Sequence, residues 1–267
     1  MKLAVSNIAW EPAEETAAAR LLDKLGVNLI ELAPTKRWPD LSAAPATEVS
    51  AYRHWWEERG FTVVTTQSIL FGRPEVQVFG DESVRRRSLD FLKTTIRLSA
   101  DLGAKIIVFG SPKNRQKGSL SDQEAFDQAV PFFTELGSYA YESGVQFCIE
   151  PNAPAYACDF VTTAAEGAAL VKAVNTPGFA LHLDAACMAM VSDDPAELTR
   201  YHHQHFHISA PMLESVPDAG IPYAAMATAL HDSKYSGVYS IEMKAQGASN
   251  LARVEQAVRF ALETFGN

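Results

Sequence analysis

Four short segments in the second half of the chain bring potential metal ligands to the ends of strand-like apolar runs. They are Cys148-Ile149-Glu150, Leu181-His182-Leu183-Asp184, His205-Phe206-His207 and Tyr239-Ser240-Ile241-Glu242. Glu150, Asp184, His207 and Glu242 together offer three carboxylates and one imidazole. That donor set suits one divalent cation, with Mn²⁺, Mg²⁺ or Co²⁺ favoured and Zn²⁺ or Fe²⁺ as alternatives. Each residue also has a plainer reading. Glu150 could be a solvated strand end, Asp184 a helix cap and His207 a hydrogen-bonded core histidine. Glu242 is harder to explain away, because a carboxylate flanked by apolar residues is costly unless paired or metal-bound. The occurrence of all four in consecutive strand-like segments favours a shared site.

Side chains two apart on a strand share a face. Asn152 therefore accompanies Glu150, Ser209 accompanies His207, and Lys244 accompanies Glu242. His182 and His205 precede Asp184 and His207 by two, so they belong one layer deeper, in supporting roles. Cys158 and Cys187 fall in loops near the same ends and read as small buried apolar residues.

The elements that must position these residues are legible from their punctuation. Gly26, Gly60, Gly103, Gly144, Gly178 and Gly237 each precede a short apolar run. Helix, glycine, buried strand and polar loop make one βα unit. Eight strands are expected, near 2–6, 27–33, 61–67, 104–109, 145–150, 179–184, 204–209 and 238–243. Helical patterns lie between them, from Pro12 to Leu25 and over 81–102, 122–143 and 249–264. Eight such units predict an α/β fold, a single-domain (β/α)₈ TIM barrel over residues 1–267. A doubly wound open sheet is the competing architecture, but no G-x-G-x-x-G follows an early strand. In a barrel, all four candidate ligands end strands 5 to 8 and converge on one rim, where chemistry sits in this fold.

Composition excludes several classes. The chain has 267 residues and a net charge of −9, which argues against a nucleic-acid partner, since phosphate contacts need clustered Lys and Arg. The one basic run, Arg85-Arg86-Arg87, reads as a solvated helix face. No apolar run reaches the ~20 residues that span a bilayer, so no membrane partner is expected. The first residues resemble a strand rather than a signal peptide, and the three cysteines are too scattered for a disulfide framework, so a cytoplasmic location is expected. An apolar helix stripe could also serve a homo-oligomer.

The segments Ile149-Glu150-Pro151-Asn152, His182-Leu183-Asp184, His205-Phe206-His207 and Ile241-Glu242 resemble the xylose isomerase-like (AP endonuclease 2-type) TIM barrels. The resemblance covers essentially the whole chain. It extends to Ser6-Asn7-Ile8-Ala9-Trp10, Ala33-Pro34-Thr35-Lys36-Arg37-Trp38, Phe71-Gly72-Arg73-Pro74 and Gly110-Ser111-Pro112-Lys113-Asn114-Arg115, which are similar to members called sugar phosphate isomerase/epimerase. It implies that Glu150, Asp184, His207 and Glu242 are metal ligands. It also implies that Glu150 and Glu242 move protons next to a substrate carbonyl, through an enediolate stabilised by the metal. Two positions depart from the family's ketose 3-epimerases. Three residues after Asp184 stands Cys187 where those enzymes carry a substrate-binding His. Six residues after Glu150 stands Tyr156 where they carry a second Glu.

Isomerisation or epimerisation of a sugar or sugar phosphate is the leading expectation. Dehydration of a polyhydroxy keto compound, and a non-catalytic sugar-binding barrel, are the alternatives. The partner is a small sugar-like molecule. Lys36, Arg37, Arg73, Lys113, Arg115 and Lys244 follow strands and would suit an anionic group on it, or else form loop ion pairs. Asn152, Lys113, Arg115, Lys244, Tyr156 and Trp10 are the expected substrate contacts, with Trp10, Trp38, Phe71 and Tyr156 as an apolar wall.

Overall fold

A computed structural model describes residues 1–218 and 220–266. Eight parallel strands close into a barrel in the order β1 to β8, with β1 pairing both β2 and β8. The strands are β1 (Lys2–Ser6), β2 (Leu29–Leu32), β3 (Thr62–Thr66), β4 (Ile106–Phe109), β5 (Gln146–Ile149), β6 (Phe179–Asp184), β7 (His205–Ser209) and β8 (Val238–Glu242). All eight fall within the expected segments, several one or two residues shorter.

The outer ring is α1 (Glu15–Lys24), α2 (Ala46–Glu57), α3 (Glu82–Asp101), α4 (Asp122–Glu142), α5 (Ala164–Val174), α6 (Ala185–Met190), α7 (Glu197–Arg200), α8 (Tyr223–Asp232) and α9 (Asn250–Phe265). The helix expected from Pro12 begins as a separate 3₁₀ turn, Pro12–Glu14, before α1. Helix starts follow side-chain capping. Asp81 accepts from Val84 N–H before α3, and Ser121 with Glu124 forms a capping box before α4. Gly60 and Gly144, at φ +83° and +72°, turn the chain out of α2 and α4 in the left-handed conformation that suits glycine.

Core packing seats the helices on the strands. α4 buries Phe132, Phe133, Leu136 and Ala140 on one face, and Phe133 stacks on Phe179 of β6 at 5.0 Å. Gly137 allows this approach, because a Cβ there would lie 2.9 Å from Phe179 Cβ. Among the described residues no helix is long and apolar enough to cross a membrane. All three cysteines are free and buried.

Candidate metal centre and active site

Strand register sets the height of each functional side chain. His182 pairs with His205, Asp184 with His207, and Ser209 with Glu242. Asp184, His207 and Glu242 therefore rise together at the C-terminal rim, and Glu150 follows the last residue of β5. His207 Nδ1 lies 3.3 Å from Glu242 Oε2 and 3.8 Å from Asp184 Oδ2. Ligand atoms of Glu150, His182, Asp184 and His207 all lie within 4.8 Å of one another. Four expected ligands thus meet, and His182 joins them. Its ring is fully buried with both nitrogens unpartnered, and Nε2 sits 3.7 Å from Glu150 Oε1.

The carboxylates are held in place. Asp184 Oδ1 accepts from Cys187 N–H at 2.7 Å and Oδ2 from the Ser209 hydroxyl at 2.5 Å. Asp184 is therefore also the cap of α6, the plainer reading of that residue. Each carboxylate oxygen has two lone pairs, so capping leaves room for a cation. Glu150 Oε2 rests against Gly110, where a Cβ would overlap it.

The sequence reading missed Glu31. It lies on β2, fully buried, and reaches across the lumen to β7. His205 Nε2 is 2.8 Å and His207 Nε2 3.2 Å from Glu31 Oε2. An acceptor at Nε2 holds a proton there, so that Nδ1, which faces Asp184 and Glu242, could give its lone pair to a cation, the arrangement common to metal-binding histidines. The signal was present: Leu29-Ile30-Glu31-Leu32 sets a charge inside an apolar strand, the same cost that singled out Glu242.

Electrostatics describe a site short of positive charge. Burial, then the charges of Asp184 and Glu242, push the Glu150 carboxyl up to about 8. Burial also raises Glu242, although His207 opposes it. For His207 burial favours the neutral ring, but Glu31 and Glu242 outweigh it and raise the imidazole well above its usual value. Glu31 is likewise pushed up by burial yet held below the carboxylate range by the charge of His207 and the bonds from both histidines. A divalent cation among these carboxylates would relieve their repulsion and favour their ionised forms. The donor chemistry, and a buried His207 Nδ1 with no hydrogen bond, fit such an ion.

Above the cluster opens a cavity of about 280 Å³. Glu150, Asn152, Tyr156, Asp184 and Glu242 line it, along with Gln67, Ser68, Ser111, Cys187, Ser209 and Leu213. Four expected contacts lie elsewhere. Trp10 is fully buried and off the cavity. Lys113 is exposed beyond the wall. Lys244 Nζ pairs with Glu214 at 2.8 Å and donates to Met212 O at 3.0 Å. Arg115, expected on the rim, is fully buried beneath it. Its guanidinium donates to the carbonyls of Phe109, Gly110, Glu150 and Phe160 and to Asn152 Oδ1, tying the ends of β4 and β5 together. Lys36 and Arg73 are similarly engaged, by Asn7 O at 2.7 Å and by the carboxylates of Asp40 and Glu75.

The chain matches the family model described as xylose isomerase-like TIM barrel over residues 19–264. No curated protein matches it. Solved structures share its fold at low identity. A D-psicose 3-epimerase from Clostridium cellulolyticum H10, solved with D-tagatose, superposes with a TM-score of 0.80 at 19% identity, covering 99% of each chain. A 3-keto-D-glucoside 4-epimerase from E. coli gives 0.79 at 17% identity, again over 99% of each chain. A protein named IOLI, solved with a bound zinc atom, gives 0.78 at 18% identity over 100% of this chain and 98% of that one.

Proposed function

This chain belongs to the xylose isomerase-like TIM barrel family, and from that premise we propose a divalent-metal-dependent epimerase or isomerase of an uncharged, polyhydroxylated keto sugar. The observation that carries the reading is the convergence of Glu150, Asp184 and Glu242 with His207 Nδ1 at the base of one cavity. Glu150, Asp184, His207 and Glu242 would hold the ion, with His182 within reach. When bound, the ion supplies Lewis-acid stabilisation of negative charge on substrate oxygens. Glu150 and Glu242 would take and return the proton beside the carbonyl, acting as base and acid. Asn152, Gln67 and Ser111 offer hydrogen bonds to hydroxyl groups. The epimerases among the similar folds support sugar chemistry, and the zinc atom of IOLI supports a metal.

Substrate charge is argued from the wall. Among the described residues, no Lys or Arg lines the cavity. The basic side chains expected to meet a phosphate are exposed elsewhere, buried in the scaffold or ion-paired. A neutral substrate therefore suits this cavity better than a sugar phosphate.

The test begins with metal content by elemental mass spectrometry on wild type and Asp184→Ala, purified without chelator. About one divalent ion per chain, lost in the variant, is expected. Solvent-deuterium uptake into neutral keto sugars then follows, with Glu150→Gln and Glu242→Gln each reducing exchange by roughly 10²–10⁴-fold. A wild type that takes up no metal, or variants that exchange at the wild-type rate, would overturn the reading.

A further inference from the structure

The opposite mouth of the barrel carries a second cavity, of about 580 Å³, among the segments that lead into β1, β4, β5, β7 and β8. Lys2, Lys105, Arg200, Lys234, His202 and His203 line it, and no Asp or Glu does. That is informative in a chain where 32 acidic residues face 23 basic ones. Arg200 is paired with Glu197 at 2.7 Å, and Lys2 Nζ donates to Ser236 O at 3.0 Å. Among the described residues no ion pair within 4.0 Å involves Lys105 or Lys234. With Arg200 neutralised by Glu197, Lys2, Lys105 and Lys234 are three cations whose charge no carboxylate offsets, and they raise the local potential in favour of an anionic ligand.

Two further features concern residues that line this cavity. Lys234 has φ +56°, directly after the cap of α8, where Lys234 N–H reaches His231 O at 2.9 Å and Tyr235 N–H reaches Leu230 O at 3.0 Å. Glycine takes that helix-ending conformation without the crowding a lysine Cβ meets. A lysine is present despite that strain. His203 is only 3% exposed, donates its Nδ1–H to Tyr201 O at 2.9 Å and stacks on Tyr235 at 4.6 Å, which fixes the wall of the cavity beside Lys234.

We propose that this cavity binds a small phosphate-bearing anion, at a site separate from the metal centre and independent of the proposed reaction. Its chemistry fits either free phosphate or a phosphorylated metabolite.

The test is isothermal titration with inorganic phosphate and with pyrophosphate at about 150 mM KCl, where loose surface attraction is screened. The proteins are wild type, Lys234→Gly, and Lys105→Ala combined with Lys234→Gly. Asp184→Ala is included because pyrophosphate also chelates metals. Saturable binding of one anion per chain is expected in wild type and in Asp184→Ala, weakened about tenfold or more in the double variant. Lys234→Gly should melt at or above the wild-type temperature, which separates lost binding from lost folding. Tighter binding of pyrophosphate than phosphate would assign a phosphorylated metabolite, and equal binding would assign free phosphate. No saturable binding of either anion, equal binding in the double variant, or binding lost in Asp184→Ala would each overturn the proposal.

Discussion

Glu31 decides which nitrogen of His207 faces the carboxylates. Replacing it with Gln keeps the shape but removes the anion that holds both His205 and His207 through Nε2. Outer partners of metal-binding histidines typically contribute 10–100-fold in affinity, so Glu31→Gln should weaken metal binding by about that factor while the fold persists. Competition with a chromophoric chelator measures the affinity and circular dichroism the fold. Unchanged affinity would mean that His207 is oriented by its strand alone. Gly110 acts on the other side of the site. A methyl group there overlaps Glu150 Oε2, so Gly110→Ala should displace that carboxylate and reduce metal loading with a loss of about 1–3 kcal/mol in stability. Full loading of the variant, measured by elemental analysis, would show that Glu150 has room to retreat.

At the scale of elements, the segment after β7 forms a wall of the cavity under backbone strain. Met212 and Leu213 both have left-handed backbones, at φ 59° and 57°, and non-glycine residues there cost about 1–3 kcal/mol each. The Tyr156 hydroxyl accepts from Met212 N–H at 2.8 Å, and Lys244, two residues beyond β8, donates to Met212 O and Leu213 O. Tyr156 and Lys244, both read from sequence as substrate contacts, thus clamp the segment that carries Leu213 into the cavity. Tyr156→Phe removes one clamp at a cost of about 0.5–1.5 kcal/mol. Chymotrypsin should then cut faster near Met212 and Leu213, with little change in melting temperature. An unchanged cleavage rate would mean that Lys244 suffices.

For the molecule as a whole, what was legible in the sequence was local. Glycines closing helices and apolar runs of four to six residues locate all eight strands, because hydrophobic period and turn chemistry act over a few residues. The four candidate ligands stand out for the same reason: each is charged or polar at the end of such a run. What escaped depends on partners far along the chain. The contact of His205 with Glu31 spans 174 positions, and those of Arg115 with Phe160 and Asn152 span 45 and 37. A rim arginine and a buried arginine look alike in sequence; only the closed barrel delivers the carbonyls that enclose Arg115. The expected strand alternation also could not say that Lys244 would turn away toward Glu214.

Glu31 also means that the half of the barrel without candidate ligands is not a bystander. Its carboxylate crosses the lumen to His207, so any stiffening of that imidazole should reach β2 through one charged strut. Amide hydrogen exchange followed by mass spectrometry would read this at a distance. Adding metal should slow exchange in peptides covering Leu29–Leu32 in wild type, and leave them unchanged in Glu31→Gln. Equal slowing in both proteins would mean that the signal travels around the wall through neighbouring strands instead of across it.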